Sequence, residues 1–212
     1  RGYAYENLGQ FEAALEDFDR VLLLNSGDTS TLYAKAYVHF QAGDTEQAIQ
    51  NYDQVIALDA LDADAYHNRG LLRFQLGNFL GAFQDFDAAV FLGTGDTDDY
   101  AMRGNASLNL AQPELSIQNY LTQLELAIQD YDTTIRLDPV NVQAYLNRGH
   151  AHRVLGQLRA QAYAELGNRQ MDTAHYLGEL ENAIADYDKV ILLDPKNSRA
   201  FANRGLAYFN MG

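Results

Sequence analysis

Cysteine and tryptophan are missing from this 212-residue chain, proline occurs only three times, and 15 basic residues face 29 acidic ones. Each shortage excludes something. Without cysteine there is no disulfide framework and no thiolate metal site. That agrees with a reducing compartment, and a cytoplasmic location is the expectation. No apolar run of about 18 residues occurs, so no hydrophobic helix spans a membrane. The opening RGYAYENLGQ lacks a signal-peptide pattern, and it lacks a methionine, as a fragment of a longer chain would. The deficit of bases, a net charge of −14, argues against sequence-independent nucleic-acid binding, which needs Lys and Arg to displace counterions. The charge is uneven: residues 1–99 carry 17 acids and 5 bases, residues 100–212 carry 12 and 10. An acidic half suits a basic partner and also serves solubility.

What the chain does have is repetition. Asn68-Arg69-Gly70, Asn147-Arg148-Gly149 and Asn203-Arg204-Gly205 are one phrase, and Arg1-Gly2 and Arg103-Gly104 are shorter forms of it. A second phrase, an aromatic between two polar residues, follows at Asp17-Phe18-Asp19, Asn51-Tyr52-Asp53, Asp85-Phe86-Asp87, Asp130-Tyr131-Asp132 and Asp186-Tyr187-Asp188. Phe18, Tyr52 and Phe86 are spaced by 34 residues, as are Gly2, Ala36, Gly70 and Gly104. Within a unit, apolar residues recur at spacings of three and four over 65–76 and again over 80–92. This predicts two helices, each with one buried face, and Gly77-Asn78 between them is a turn signal. Pro139 and Pro195 follow Leu-Asp at helix ends, and Pro113 falls where a first helical turn tolerates it.

On these residues the chain resembles the tetratricopeptide repeat family, whose pattern is a 34-residue helix–turn–helix. Gly70 and Ala82 fill its small slots; Tyr66, Leu71, Phe79 and Phe86 fill its large ones. Its closing proline is present at Pro139 and Pro195 and replaced at Ser26, Ala60 and Thr94, which weakens those helix stops. The resemblance implies an all-α, right-handed superhelical solenoid. The expected division is a partial repeat at 1–28, repeats at 29–62 and 63–96, longer repeats at 97–141 and 142–197, and the first helix of a truncated repeat at 198–212.

The longer repeats depart from 34 by regular amounts. Phe86 to Tyr131 is 45 residues and Tyr131 to Tyr187 is 56, excesses of 11 and 22. Eleven residues at about 100° each overshoot three turns by only roughly 20°, so an inserted eleven keeps the buried face. SIQNY at 116–120 is echoed by AIQDY at 127–131, and VLGQ at 154–157 by ELGN at 165–168. Ile117, Leu121, Leu124, Ile128, Tyr131 and Ile135 form an unbroken helical stripe. The expectation is that three helices are extended by about three turns and pack together as a protruding lobe carrying Ile117, Leu121, Leu124, Leu158, Ala162, Leu177 and Leu180.

Chemistry is poorly provided for. Residues i and i+2 of a helix lie about 200° apart, so the acids of the Asp-aromatic-Asp phrases cannot converge on one ion; they read as solvated flanks of a core ring. His150 and His152 fail for the same reason. No metalloprotease, phosphate-loop or nucleophile-elbow motif occurs, and no cofactor is expected. Arg69, Arg103, Arg148 and Arg204 read as partners of neighbouring acids.

The resemblance implies a binding role instead. In such arrays the first helices line a concave groove. By register this places Tyr33, Tyr37, Phe40, His67, Asn68, Leu71, Phe74, Asn105, Leu146, Asn147, His150 and Asn203 there. The aromatics would anchor a peptide, and the recurring asparagines would hydrogen-bond its backbone. The family's carboxylate clamp needs cations where Tyr33, His67, Ala101, Asp64 and Asp98 stand, so that activity is not expected. The expected function is a non-catalytic scaffold for a protein or peptide. The alternatives are self-assembly through the lobe or the array ends, where Phe201, Leu206, Tyr208 and Phe209 end the sequence, and a regulatory arm of a larger protein.

Overall fold

The computed structural model describes residues 1–93, 96–111, 117–165 and 169–211, with side chains described outside 162–173. Among the described residues the chain is helical and falls into two compact units, Arg1–Gly95 and Asp96–Gly212.

The first unit holds α1 (Gly2–Asn7), α2 (Phe11–Leu24), α3 (Thr29–Ala42), α4 (Thr45–Leu58), α5 (Ala63–Gln75) and α6 (Phe79–Leu92). Consecutive helices pack as neighbours. Each helix starts or stops for a local reason. Gly43 and Gly77 follow α3 and α5 with φ of +87° and +77°, a left-handed conformation that L side chains rarely adopt. Asp28, Asp62 and Asn78 cap α3, α5 and α6, accepting from the N–H of Thr31, Ala65 and Gly81.

The second unit holds α7 (Thr97–Leu110), α8 (Ile117–Leu137), α9 (Val142–Glu165), α10 (Arg169–Leu193) and α11 (Ser198–Met211). Its middle three helices are 21, 24 and 25 residues long, against 14 for α2, α3, α4, α6, α7 and α11. Residues 117–125 and 158–165 are helical. The expectation for residues 112–116 and for the Ala162 side chain lies outside the described residues.

Every repeat turns on one aromatic. Phe18, Tyr52, Phe86, Tyr131 and Tyr187 are buried, each with a fully buried alanine one turn earlier: Ala14, Ala48, Ala82, Ala127 and Ala183. Burying such a ring contributes roughly 1.5–3 kcal/mol, and glycines on the facing helix let it approach. An added Cβ on Gly70 would stand 3.0 Å from the Phe86 ring; on Gly149, 2.8 Å from Tyr187.

At Ser26 and Ala60, where proline is replaced, an Asx residue one position earlier turns the chain; Thr94 lies outside the described residues. Asn25, Asp59, Asp138 and Asp194 follow α2, α4, α8 and α10, and their side chains accept from the N–H two residues on, at Gly27, Leu61, Val140 and Lys196. Proline is an addition at two of these four turns.

Candidate functional site

The recurring arginines lie at the junctions between helices. Arg69 donates through Nε and Nη2 to both oxygens of Asp85 and through Nη1 to Asp53. Arg148 does the same with Asp186 and Asp132, and Arg103 grips Asp130 through Nε and Nη2. Burial alone would lower the pKa of Arg69 and Arg148; the bonds and charges of their aspartates outweigh it and raise it. Here the expectation of solvated acids fails. In three of the phrases the first acid, Asp85, Asp130 or Asp186, is buried, because it faces the arginine of its own repeat; Asp17 is half-buried. The second acid, Asp53 or Asp132, turns roughly 200° away and meets the arginine of the next repeat. These are structural clamps.

In the first unit the expected groove residues divide into committed and open ones. The Tyr33 hydroxyl donates to Asp62 at 2.6 Å, and its ring meets Tyr52 edge-on. Burial, then Asp62, holds its pKa above the ordinary value. His67 packs edge-on against Phe86, and Phe74 against Phe79. Leu71 is half-buried. Asn68 donates back to the Asp64 carbonyl of its own helix at 2.8 Å. Tyr37 and Phe40 remain exposed, at 48% and 40%. Tyr37 lines a cavity of about 320 Å³ with Glu6, Asn7, Gly9, Phe11 and Gln41.

In the second unit the asparagines form a chain. The Tyr131 hydroxyl and the Asn147 amide both donate to the Asn105 oxygen, at 2.8 and 2.7 Å, and Gln143 donates to the Asn147 oxygen. Asn147 is thus occupied on both sides, and the three asparagines at one repeat position are not equivalent. Leu146 is buried with Leu180, Ala183 and Tyr187. Beside the asparagines lies a cavity of about 290 Å³ lined by Leu108, Asn109, Leu146, Asn147, His150, Arg199 and Asn203. Burial lowers the His150 pKa from its ordinary value, and the charges of Arg153 and Arg199 lower it further. Arg199 has no acidic partner among the described residues. The sequence reading missed this cation because it lies outside the repeated phrases.

The extended helices carry their own contacts. Leu121 and Leu124 pack with Ala151, Leu155 and Leu158, and Leu180 is buried in the core around Tyr187. Leu177 is half-buried and Ile117 is exposed. A polar bridge not foreseen from the sequence joins all three helices. Glu179 of α10 binds His152 at 2.6 Å and also Arg159, both on α9, and Arg159 reaches Glu125 of α8 at 2.8 Å. Among the described residues, no group of three or more His, Asp or Glu stands together as a metal site, and no helix is long and apolar enough to cross a membrane.

Comparison with known proteins agrees with this architecture. A family model described as TPR repeat matches residues 36–77 and 172–212, and one described as tetratricopeptide repeat matches residues 1–28, together more than half of the chain. No curated protein matches it. Among solved structures, a crystal structure of MamA is similar over 93% of this chain and 96% of that one, with TM-score 0.67 and 21% identity. MamA 41-end from Desulfovibrio magneticus RS-1 is similar over 93% and 97%, with TM-score 0.61 and 19% identity. The first TPR of Spaghetti (RPAP3), bound to the HSP90 peptide SRMEEVD, is similar over 72% and 95%, with TM-score 0.52 and 18% identity. At these identities the likeness is one of fold.

Proposed function

The chain belongs to the tetratricopeptide repeat family, and from that premise we propose that it is a non-catalytic scaffold binding a protein or peptide segment on its first helices. The observation that carries this reading is the cavity between α7, α9 and α11. It offers the amide of Asn203 for a peptide backbone, a His150 ring whose burial disfavours its charged form, and Arg199, which has no acidic partner among the described residues, for an anionic group of the ligand. In the first unit Tyr37 and Phe40 are the exposed anchors for apolar side chains. Tyr33, His67, Asn68, Leu71, Phe74, Asn105 and Asn147 shape these surfaces from beneath, since their polar atoms or rings are engaged within the protein. That the RPAP3 domain of similar fold holds a peptide supports a linear segment as the ligand class.

Selection of a random-peptide display library on the intact chain tests the reading. Selected peptides are expected to lose affinity by about tenfold, roughly 1.4 kcal/mol, on Arg199→Glu or on Tyr37→Ala with Phe40→Ala. Peptides that bind all variants alike would remove these faces as the site.

A second reading, self-assembly through the extended helices, is favoured by the lengths of α8, α9 and α10 and by exposed Ile117. It requires mass in solution to rise with concentration and to stop rising when 116–126 are deleted.

A further inference from the structure

The recurring arginines are held by two things at once, a carboxylate and an aromatic ring. Arg69 pairs with Asp85 and Asp53 and lies 5.4 Å from the centre of the Tyr66 ring. Arg148 pairs with Asp186 and Asp132 and lies 5.5 Å from the centre of the Tyr145 ring. The ring attracts the cation and the acid fixes its direction. One place in the first unit offers an acid and a ring and has no cation of its own.

That place is the cavity of about 320 Å³ among the end of α1, the turn at Gly9, the start of α2 and the outer turns of α3. Glu6 supplies the acid. It is half-buried, and its Oε2 is closed off from solvent without a hydrogen-bond partner. A carboxylate so placed loses hydration and gains nothing in return. The cations of the unit are committed elsewhere. Arg1 and Arg20 pair with Asp17, Lys35 with Asp19, and Arg69 and Arg73 with Asp53 and Asp85. These are all five of the Lys and Arg in residues 1–95. Tyr37 supplies the ring; it is 48% exposed and meets no other ring or cation among the described residues. Phe11, packed on the core around Phe18, adds apolar surface. Gln41 stands in the last turn of α3, at the carbonyl end of the helix, where the dipole favours a cation.

We propose that this cavity is a cationic subsite, taking a lysine or arginine side chain of the bound segment. The aliphatic stem is the apolar part that Tyr37 and Phe11 anchor, and the charged head meets the Glu6 carboxylate. An apolar side chain of the same length would leave Glu6 without a partner, so the subsite selects for charge. The excess of acids over residues 1–99, 17 against 5 bases, acts in the same direction by drawing basic segments to this unit. The inference rests on the reading of the first helices as a peptide-binding face, and adds to it the charge of the residue seated beside Tyr37.

The test uses the intact, isotope-labelled chain and two probes that differ in one group, N-acetyl-lysine N-methylamide and its norleucine counterpart. In amide NMR spectra at low salt, the lysine probe is expected to shift Gly9 and Gln41 saturably, with a Kd of roughly millimolar order. The norleucine probe should bind about tenfold more weakly. Glu6→Gln should remove the difference between the probes, and Tyr37→Leu should reduce it by about threefold. Circular dichroism checks the fold of both variants; Tyr37→Leu, at an exposed position, carries the test should Glu6→Gln not fold. Equal binding of the two probes, no saturable shift with lysine, or a preference unchanged in both variants overturns the proposal. Peptides selected on the chain separate it from the reading on which it rests. Peptides that need Tyr37 and Phe40 yet keep their affinity when each Lys and Arg becomes norleucine uphold the peptide face and overturn the cationic subsite. A lysine probe that depends on Glu6, while no peptide depends on Tyr37 or Phe40, upholds the subsite and removes the peptide face.

Discussion

In the first unit Arg69 reaches forward 16 residues to its buried aspartate; in the second, Arg103 and Arg148 reach 27 and 38. The steps are eleven and twenty-two. The backward reach does not change: Arg69 to Asp53 and Arg148 to Asp132 are both 16 residues. The same clamp is therefore built over three lengths of chain. Growth in elevens leaves each helix face within about 20° of its former direction, so the ring, glycine, arginine and aspartate keep their places. Added residues make contacts beyond the junction, as Leu121, Leu124, Leu155 and Leu158 do.

The hardest test of that equivalence is to shorten α8. Deleting eleven residues, 116–126, is expected to leave a cooperatively folded protein, at a loss of about 2–5 kcal/mol for the partners of each of Leu121 and Leu124. Deleting eight, 118–125, turns the remaining stripe by about 80° and should abolish protection of the second unit in hydrogen exchange. Equal tolerance of both deletions would break the comparison.

A sharper probe is the clamp itself. Asp85→Ala, made in a chain already carrying Arg73→Gln because Arg73 also pairs with Asp85, and Asp186→Ala each leave a half-buried arginine with only Asp53 or Asp132, and each should cost about 3 kcal/mol in urea unfolding, despite their reaches of 16 and 38 residues. A large difference between the two would show that the longer helices loosen the junction.

The smallest effect belongs to His150. Its folded pKa lies below the ordinary value because burial, with Arg153 and Arg199, opposes its charge. The unfolded chain therefore binds more protons below about pH 6.5, and stability falls as pH drops from there to the folded pKa, then levels off. His150→Gln should reduce this fall in melting temperature between pH 7.5 and 5.5. An unchanged slope would mean that the ring is not desolvated.

Much of this is legible in the residues. The helices and their buried faces follow from apolar residues three and four apart, and the described residues are helical where that spacing runs. The assignment of groove roles was less legible. Tyr33 and Asn68 occupy first-helix positions suited to a ligand, yet each spends its polar atoms on an acid or carbonyl nearby. Asn147 spends its own on Asn105 and Gln143. A position in the repeat specifies a direction from the helix axis; it does not specify which neighbour arrives there.

The division has a physical basis. Helix faces, turns and stops depend on residues within about one turn of each other, so the sequence by itself determined them: glycine at positive φ, Asx residues at the stops, apolar residues every third or fourth place. The choice between the two acids of an Asp-aromatic-Asp phrase, and the bridge from His152 through Glu179 and Arg159 to Glu125, depend on groups that meet only after helices pack. Only the tertiary structure decided those, because their energies arise from burial and charge at contacts between helices that no local spacing encodes.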